Sequence, residues 1–109
     1  MNVYDTANKL AQELKTSDEY LNYKRAKENM DVSKKEKIFE FEKLRYNIQI
    51  DKFQEREENT ENVEKMKRMY VDLIKDEEIK NYFDLELKFN VMLTDVNKII
   101  AEAVQDVIK

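Results

Sequence analysis

The 109-residue sequence contains no glycine, no proline, no cysteine and no histidine. Each absence removes a class of chemistry or architecture. Without glycine there is no backbone that can approach a phosphate closely, so dinucleotide folds and P-loops are excluded. Without glycine or proline the usual material of tight hairpins and abrupt helix stops is missing as well. Without cysteine there are no disulfides, thiolate zinc sites, cysteine-held iron–sulfur clusters or thiol nucleophiles. Without histidine the commonest general base and transition-metal ligand is gone, and with it any conventional catalytic triad.

What is present is charge on an apolar frame. Charged residues make up 40% of the chain and hydrophobic residues 41%, so an ordered core can form and the charges must lie mostly on solvated faces. One domain is expected over residues 1–109, and a chain of this length can bury a core without metals or disulfides. The abundance of helix formers with no breaker predicts an all-α bundle of about five helices. A net charge of −4 argues against binding to nucleic acid by phosphate neutralisation. No run of 18 apolar residues occurs and the N-terminus has no signal-like stretch, so a cytoplasmic protein that does not meet a membrane is expected.

Periodicity places the helices. Ala7, Leu10, Ala11 and Leu14 mark a first helix over about 3–14, resting on a core. Thr16 and Glu19 have capping-box spacing, with Ser17 the other candidate cap, before a second helix over about 18–30. Its tyrosines, Tyr20 and Tyr23, read as half-buried packing residues. Ser33 with Glu36 forms another box, opening a third helix with two apolar stripes. Ile38, Phe41, Leu44 and Ile48 make one, and Phe39, Tyr46, Ile50 and Phe53 the other. Such a helix is sandwiched, either between neighbours in its own chain or against a second subunit.

A polar corner, 54–65, precedes a fourth helix carrying Val63, Met66, Tyr70, Leu73 and Ile74, with Asn59 or Thr60 as its cap. Asp76 then caps a last helix whose stripe runs through Tyr82, Phe89, Met92, Leu93, Val96, Ile99, Ile100, Ala103, Val104 and Val107. Unbroken to Ile108, that helix would be about 50 Å long. A compact domain of this size is roughly 30–35 Å across, so the helix should project or be shared, and a dimer or higher oligomer is expected. The expected assembly surface comprises Phe39, Tyr46, Ile50, Phe53, Tyr82, Phe89, Met92, Leu93, Val96 and Ile100.

The remaining chemistry is that of carboxylates. Glu58, Glu61 and Glu64 follow at i, i+3, i+6, a spacing that a magnesium-dependent helical hydrolase could use. Such an enzyme needs a second Glu-x-x-Asp pair further along, and none follows Glu64. Glu86, Asp95, Glu102 and Asp106 on the last helix read as solvent-facing charges. No catalytic residue, metal ligand or cofactor site is assigned.

Ser17-Asp18-Glu19-Tyr20 with Tyr23-Lys24 and Ala26-Lys27, the Phe39/Phe41 pair, and the segment Phe89-Asn90-Val91-Met92-Leu93 … Val96-Asn97-Lys98-Ile99-Ile100 together resemble the YlbF/YmcA family of small helical bacterial proteins. The resemblance spans nearly the whole chain. It implies a non-enzymatic, oligomeric adaptor whose partners are itself, other family members and an RNA-processing complex built on RNase Y, with effects on competence, sporulation and biofilm formation. Family members often start the last helix with proline, where this chain has Asp76-Glu77-Glu78. Some carry cysteines tied to an iron–sulfur cluster, which this chain cannot hold. The alternatives are a purely structural homo-oligomer of phage or chaperone type, and a magnesium-dependent carboxylate hydrolase.

Overall fold

A computed structural model describes residues 2–57 and 59–108. Six helices account for nearly all of them: α1 (Val3–Lys15), α2 (Asp18–Asn29), α3 (Val32–Phe53), α4 (Thr60–Leu73), α5 (Glu77–Ala103) and α6 (Gln105–Ile108). No strand occurs among the described residues. The chain is all-α, with one more helix than periodicity suggested.

Side-chain caps set the boundaries. Asn2 accepts from the Tyr4 N–H to open α1. Between α1 and α2, Ser17 is the cap: its Oγ accepts from the Tyr20 N–H at 3.2 Å and donates to the Leu14 carbonyl at 2.6 Å. Thr16 instead closes α1, its hydroxyl turned back onto the Gln12 and Glu13 carbonyls. The Ser33–Glu36 box does not open α3. Asp31 does, accepting from the Lys34 N–H at 2.9 Å, because it stands at the last non-helical residue, whereas Ser33 is already inside the helix. Of the two candidates at α4, Asn59 is the cap, and Asp76 caps α5 as the spacing indicated.

The end of α3 shows what the lack of glycine costs. Gln54 is the C-cap, and Glu55 takes the left-handed conformation that glycine usually fills, with φ 56°. The Arg56 N–H reaches the Asp51 carbonyl at 2.9 Å and the Glu55 N–H reaches Lys52 at 3.1 Å, completing a Schellman closure on a glutamate.

The last helix is shorter than the periodic stripe suggests. α5 runs unbroken through Asp95 and ends at Ala103, about 40 Å at 1.5 Å per residue. Val104 is a turn, and its N–H bonds back to Ala101, a tightened final turn.

The chain divides into two units. One comprises residues 29–81: α3, α4 and the opening of α5. Its core is Met30, Ile38, Phe41, Ile48, Leu73 and Ile79. Phe41 stacks on Tyr70 (centroids 5.9 Å apart), and the Arg45 guanidinium lies over the Phe41 ring, 5.4 Å from its centre. The other unit comprises residues 1–28 and 82–109, that is α1, α2, the body of α5 and α6. Its centre is aromatic: Tyr82 and Phe83 are buried, Tyr23 packs on both Tyr82 (5.3 Å) and Phe89 (5.6 Å), and Tyr20 approaches Phe89 at 6.0 Å. No residue of α1 is buried. Leu10 and Leu14 are half-covered, while Ala7 and Ala11 are exposed.

Candidate interaction surfaces

Three helix faces carry apolar side chains that the folded chain leaves uncovered. On α3 the two stripes separate to opposite sides. Ile38, Phe41 and Ile48 are buried and Leu44 half-buried, whereas Phe39, Tyr46 and Phe53 stand 62%, 62% and 87% exposed. Ile50 is half-buried at the edge of the second stripe. Of the two covers considered for this helix, its own chain supplies only one. The buried side holds the fold, and the open side is available.

On α5 a single stripe changes character along its length. Tyr82 was expected on an assembly surface, and the structure corrects this: it is 0% exposed, enclosed by Tyr23 and Phe83, with its hydroxyl 3.4 Å from that of Tyr23. Periodicity puts Tyr82 on the same stripe as Val96 but does not reveal that α2 already covers that end. Phe89, Met92, Leu93 and Val96 are half-buried, and Ile100 is exposed. Beyond Val96 the stripe is bare, with Ile99 at 68% exposure and Val107 at 82%. An open groove lined by Glu19, Leu87, Val91, Met92 and Val96 starts at the stripe and continues the apolar surface round the helix. On α1, Val3 and Tyr4 are also largely exposed.

Polar side chains brace these faces. Lys34 on α3 reaches both Asp76 and Glu78 at 3.0 Å, tying the start of α3 to the start of α5 within one unit. The Glu78 and Asp76 carboxylates hold the Lys34 ammonium above its ordinary pKa, and Lys34 in turn holds Asp76 below its own. Asp76 therefore has two tasks, since it also caps α5. Sequence reading did not find this cluster, because the two acids lie 42 and 44 residues from the lysine.

Glu86 also departs from expectation. It is half-buried and accepts from the Tyr23 hydroxyl at 3.2 Å, so it belongs to the aromatic centre and not to the solvent. Of the glutamates with metal-like spacing, Glu58 lies outside the described residues, and Glu61 and Glu64 are exposed on α4. Among the described residues no group of three or more acidic side chains is arranged to hold a metal ion. No helix among them is long and apolar enough to cross a membrane.

The architecture thus defines a small all-helical protein whose distinctive features are uncovered apolar helix faces. Residues 3–105 match the family model described as control of competence regulator ComK, YlbF/YmcA, and the chain belongs to that family. It is 36% identical over 104 residues to a UPF0342 protein of Symbiobacterium thermophilum, covering 94% of this chain and 93% of that one. A UPF0342 protein of Caldicellulosiruptor saccharolyticus is 33% identical, with 94% and 88% covered. One of Staphylococcus aureus is 30% identical, with 98% and 96% covered. No solved structure matches the chain at a significant level. The family description is regulatory: it names control of a competence regulator.

Proposed function

We propose that this protein is a non-enzymatic regulatory adaptor of the cytoplasm, acting as an oligomer through protein–protein contacts. The observation that supports the reading is the α5 stripe, which is core at Tyr82 and bare from Ile99 onward. A continuous apolar stripe left open at one end suits a helix that receives a partner there, because large exposed apolar patches mark interaction sites. Val3 and Tyr4 on α1 are a further exposed apolar pair. The family resemblance points to other family members and an RNase Y-based messenger-RNA processing complex as the partners, with competence, sporulation or biofilm formation as the processes affected.

The test is affinity purification from the native cell with the wild-type chain and with Ile99→Glu, followed by mass spectrometry. Recovery of other family members or RNA-processing enzymes with the wild type, lost with the variant, is the expected result. Recovery of this chain alone from both would overturn the adaptor reading and favour a purely structural homo-oligomer.

A further inference from the structure

The open side of α3 carries more order than the bare end of α5. Val32, Phe39, Tyr46 and Phe53 recur every seven residues and are 70%, 62%, 62% and 87% exposed. At 100° per residue a seven-residue step drifts by only about 20°, so the four side chains form a nearly straight ladder roughly 30 Å long. The ladder lies opposite the buried side of the same helix, where Ile38, Phe41 and Ile48 sit. Nothing in the fold requires aromatic rings there.

The charges beside the ladder are arranged in opposition. Helical geometry puts Glu36 and Lys43 along one edge and Lys35 and Glu42 along the other, so at two levels, between Val32 and Phe39 and between Phe39 and Tyr46, an acid faces a base across the stripe. A second copy of α3, laid parallel and in register, brings Glu36 against Lys35 of the second copy and Lys43 against Glu42 of the second copy. Two-fold symmetry repeats both pairs. Glu42 lies 3.6 Å from Arg45 on its own helix and would share its carboxylate with Lys43 of the second copy, so the Glu36–Lys35 pair carries most of the charge argument.

We infer that the Val32–Phe39–Tyr46–Phe53 ladder joins two copies of this chain through parallel, in-register pairing of their α3 helices. The area is of the right size. An aromatic side chain buries about 150–250 Å², so three rings at these exposures offer roughly 300–500 Å² per chain before Val32 is added. Twice that is close to the apolar share of a standard interface of about 1,600 Å². The antiparallel alternative that also opposes the charges centres on Phe39. It strands Phe53, the most exposed rung, beyond the start of the other helix at Val32. The strict seven-residue repeat is likewise the spacing that keeps a seam facing its partner along paired helices.

This goes beyond the adaptor reading, since it assigns one face to self-association and leaves the α5 end for other proteins. The test uses purified full-length chain alone, so it can fail or succeed independently of the pull-down. Sedimentation equilibrium of the wild type should show a dimer, and Tyr46→Glu should weaken it at least a hundredfold while helical circular dichroism is retained. Glu36→Lys should weaken dimerisation roughly 3- to 30-fold, because it sets two lysine pairs in opposition. Adding Lys35→Glu to Glu36→Lys should restore the wild-type constant. A monomeric wild type would overturn the inference, as would a dimer indifferent to Tyr46→Glu. Rescue of Glu36→Lys by Lys43→Glu in place of Lys35→Glu would also overturn it, since that pattern belongs to antiparallel pairing.

Discussion

If the α5 stripe is core at one end and contact surface at the other, truncating it at two points should have different consequences. Tyr82 is fully enclosed, so Tyr82→Ala removes a buried ring and leaves a cavity among Tyr23, Phe83 and their neighbours. Such truncations cost about 3–5 kcal/mol. A chain of this length has roughly 5–15 kcal/mol in total, so the variant should lose a third or more of its stability. Ile99 is 68% exposed and can lose only about a third of the 1.5–3 kcal/mol that full burial is worth. Alanine returns part of that through its better helix propensity, leaving a net change within about 0.5 kcal/mol for the isolated chain. The assay is urea denaturation followed by circular dichroism, at two protein concentrations a hundredfold apart. Tyr82→Ala should be destabilised equally at both. Ile99→Ala should match the wild type at both, because the purified chain carries no other protein to cover that end and self-association through α3 adds stability to both alike. A loss of 2 kcal/mol or more for Ile99→Ala at the lower concentration would refute the division of the stripe, because the bare end would then be intrachain core.

Two further expectations concern the frame that holds these faces. Glu55→Gly should stabilise the protein by about 0.5–1 kcal/mol, since a left-handed non-glycine residue costs about 1–2 kcal/mol and glycine gives part of this back as unfolded-state entropy; thermal unfolding should shift up by a few degrees, and a downward shift would mean that the Glu55 side chain contributes more than its backbone costs. Replacing Lys34 with Met should lower the melting temperature across a plateau from roughly pH 5 to 10. The difference from wild type should shrink in acid, as pH falls through the depressed pKa of Asp76, and again in strong alkali, as pH rises through the raised pKa of Lys34. Melting curves from pH 2 to 11 for both proteins check this, and a difference independent of pH would remove the cluster as its cause.

Local signals in the sequence were enough for most of the helix frame. Asp76 could be assigned as a cap because it stands alone before an apolar-periodic run, whereas Asn59 and Thr60 were equally placed and only the structure chose Asn59. At α3 the Ser33–Glu36 spacing pointed to the wrong cap: Asp31 holds the role because it is the last non-helical residue, and Ser33 already lies inside the helix. The break at Val104 had no legible cause, as neither glycine nor proline marks it. The two stripes of α3 were visible as stripes, but periodicity does not say which side the chain covers. Tyr82 was misplaced for the same reason: its position on the stripe was legible and its cover, supplied by Tyr23 from 59 residues away, was not. Glu86 and Lys34 were missed because a hydrogen bond or ion pair across such separations leaves no spacing to read.

The placement of core and ladder on opposite sides of α3 has a consequence for how such a protein could change partners. Ile38, Phe41 and Ile48 are buried, Phe41 stacks on Tyr70 of α4 and Lys34 pairs with Asp76 and Glu78 at the start of α5, so the rings on the far side contribute little to holding the helix in place. Residues on the ladder can then be replaced without disturbing the fold, and the reverse also holds: a core substitution that leaves α3 helical leaves the ladder intact. On α5 core and bare surface follow one another along a single stripe, and half-buried Phe89, Met92, Leu93 and Val96 lie at the join. A change there alters packing and contact together. Specificity is therefore more freely adjustable on α3, where fold and contact are separated by the width of a helix, than on α5, where the same side chains serve both.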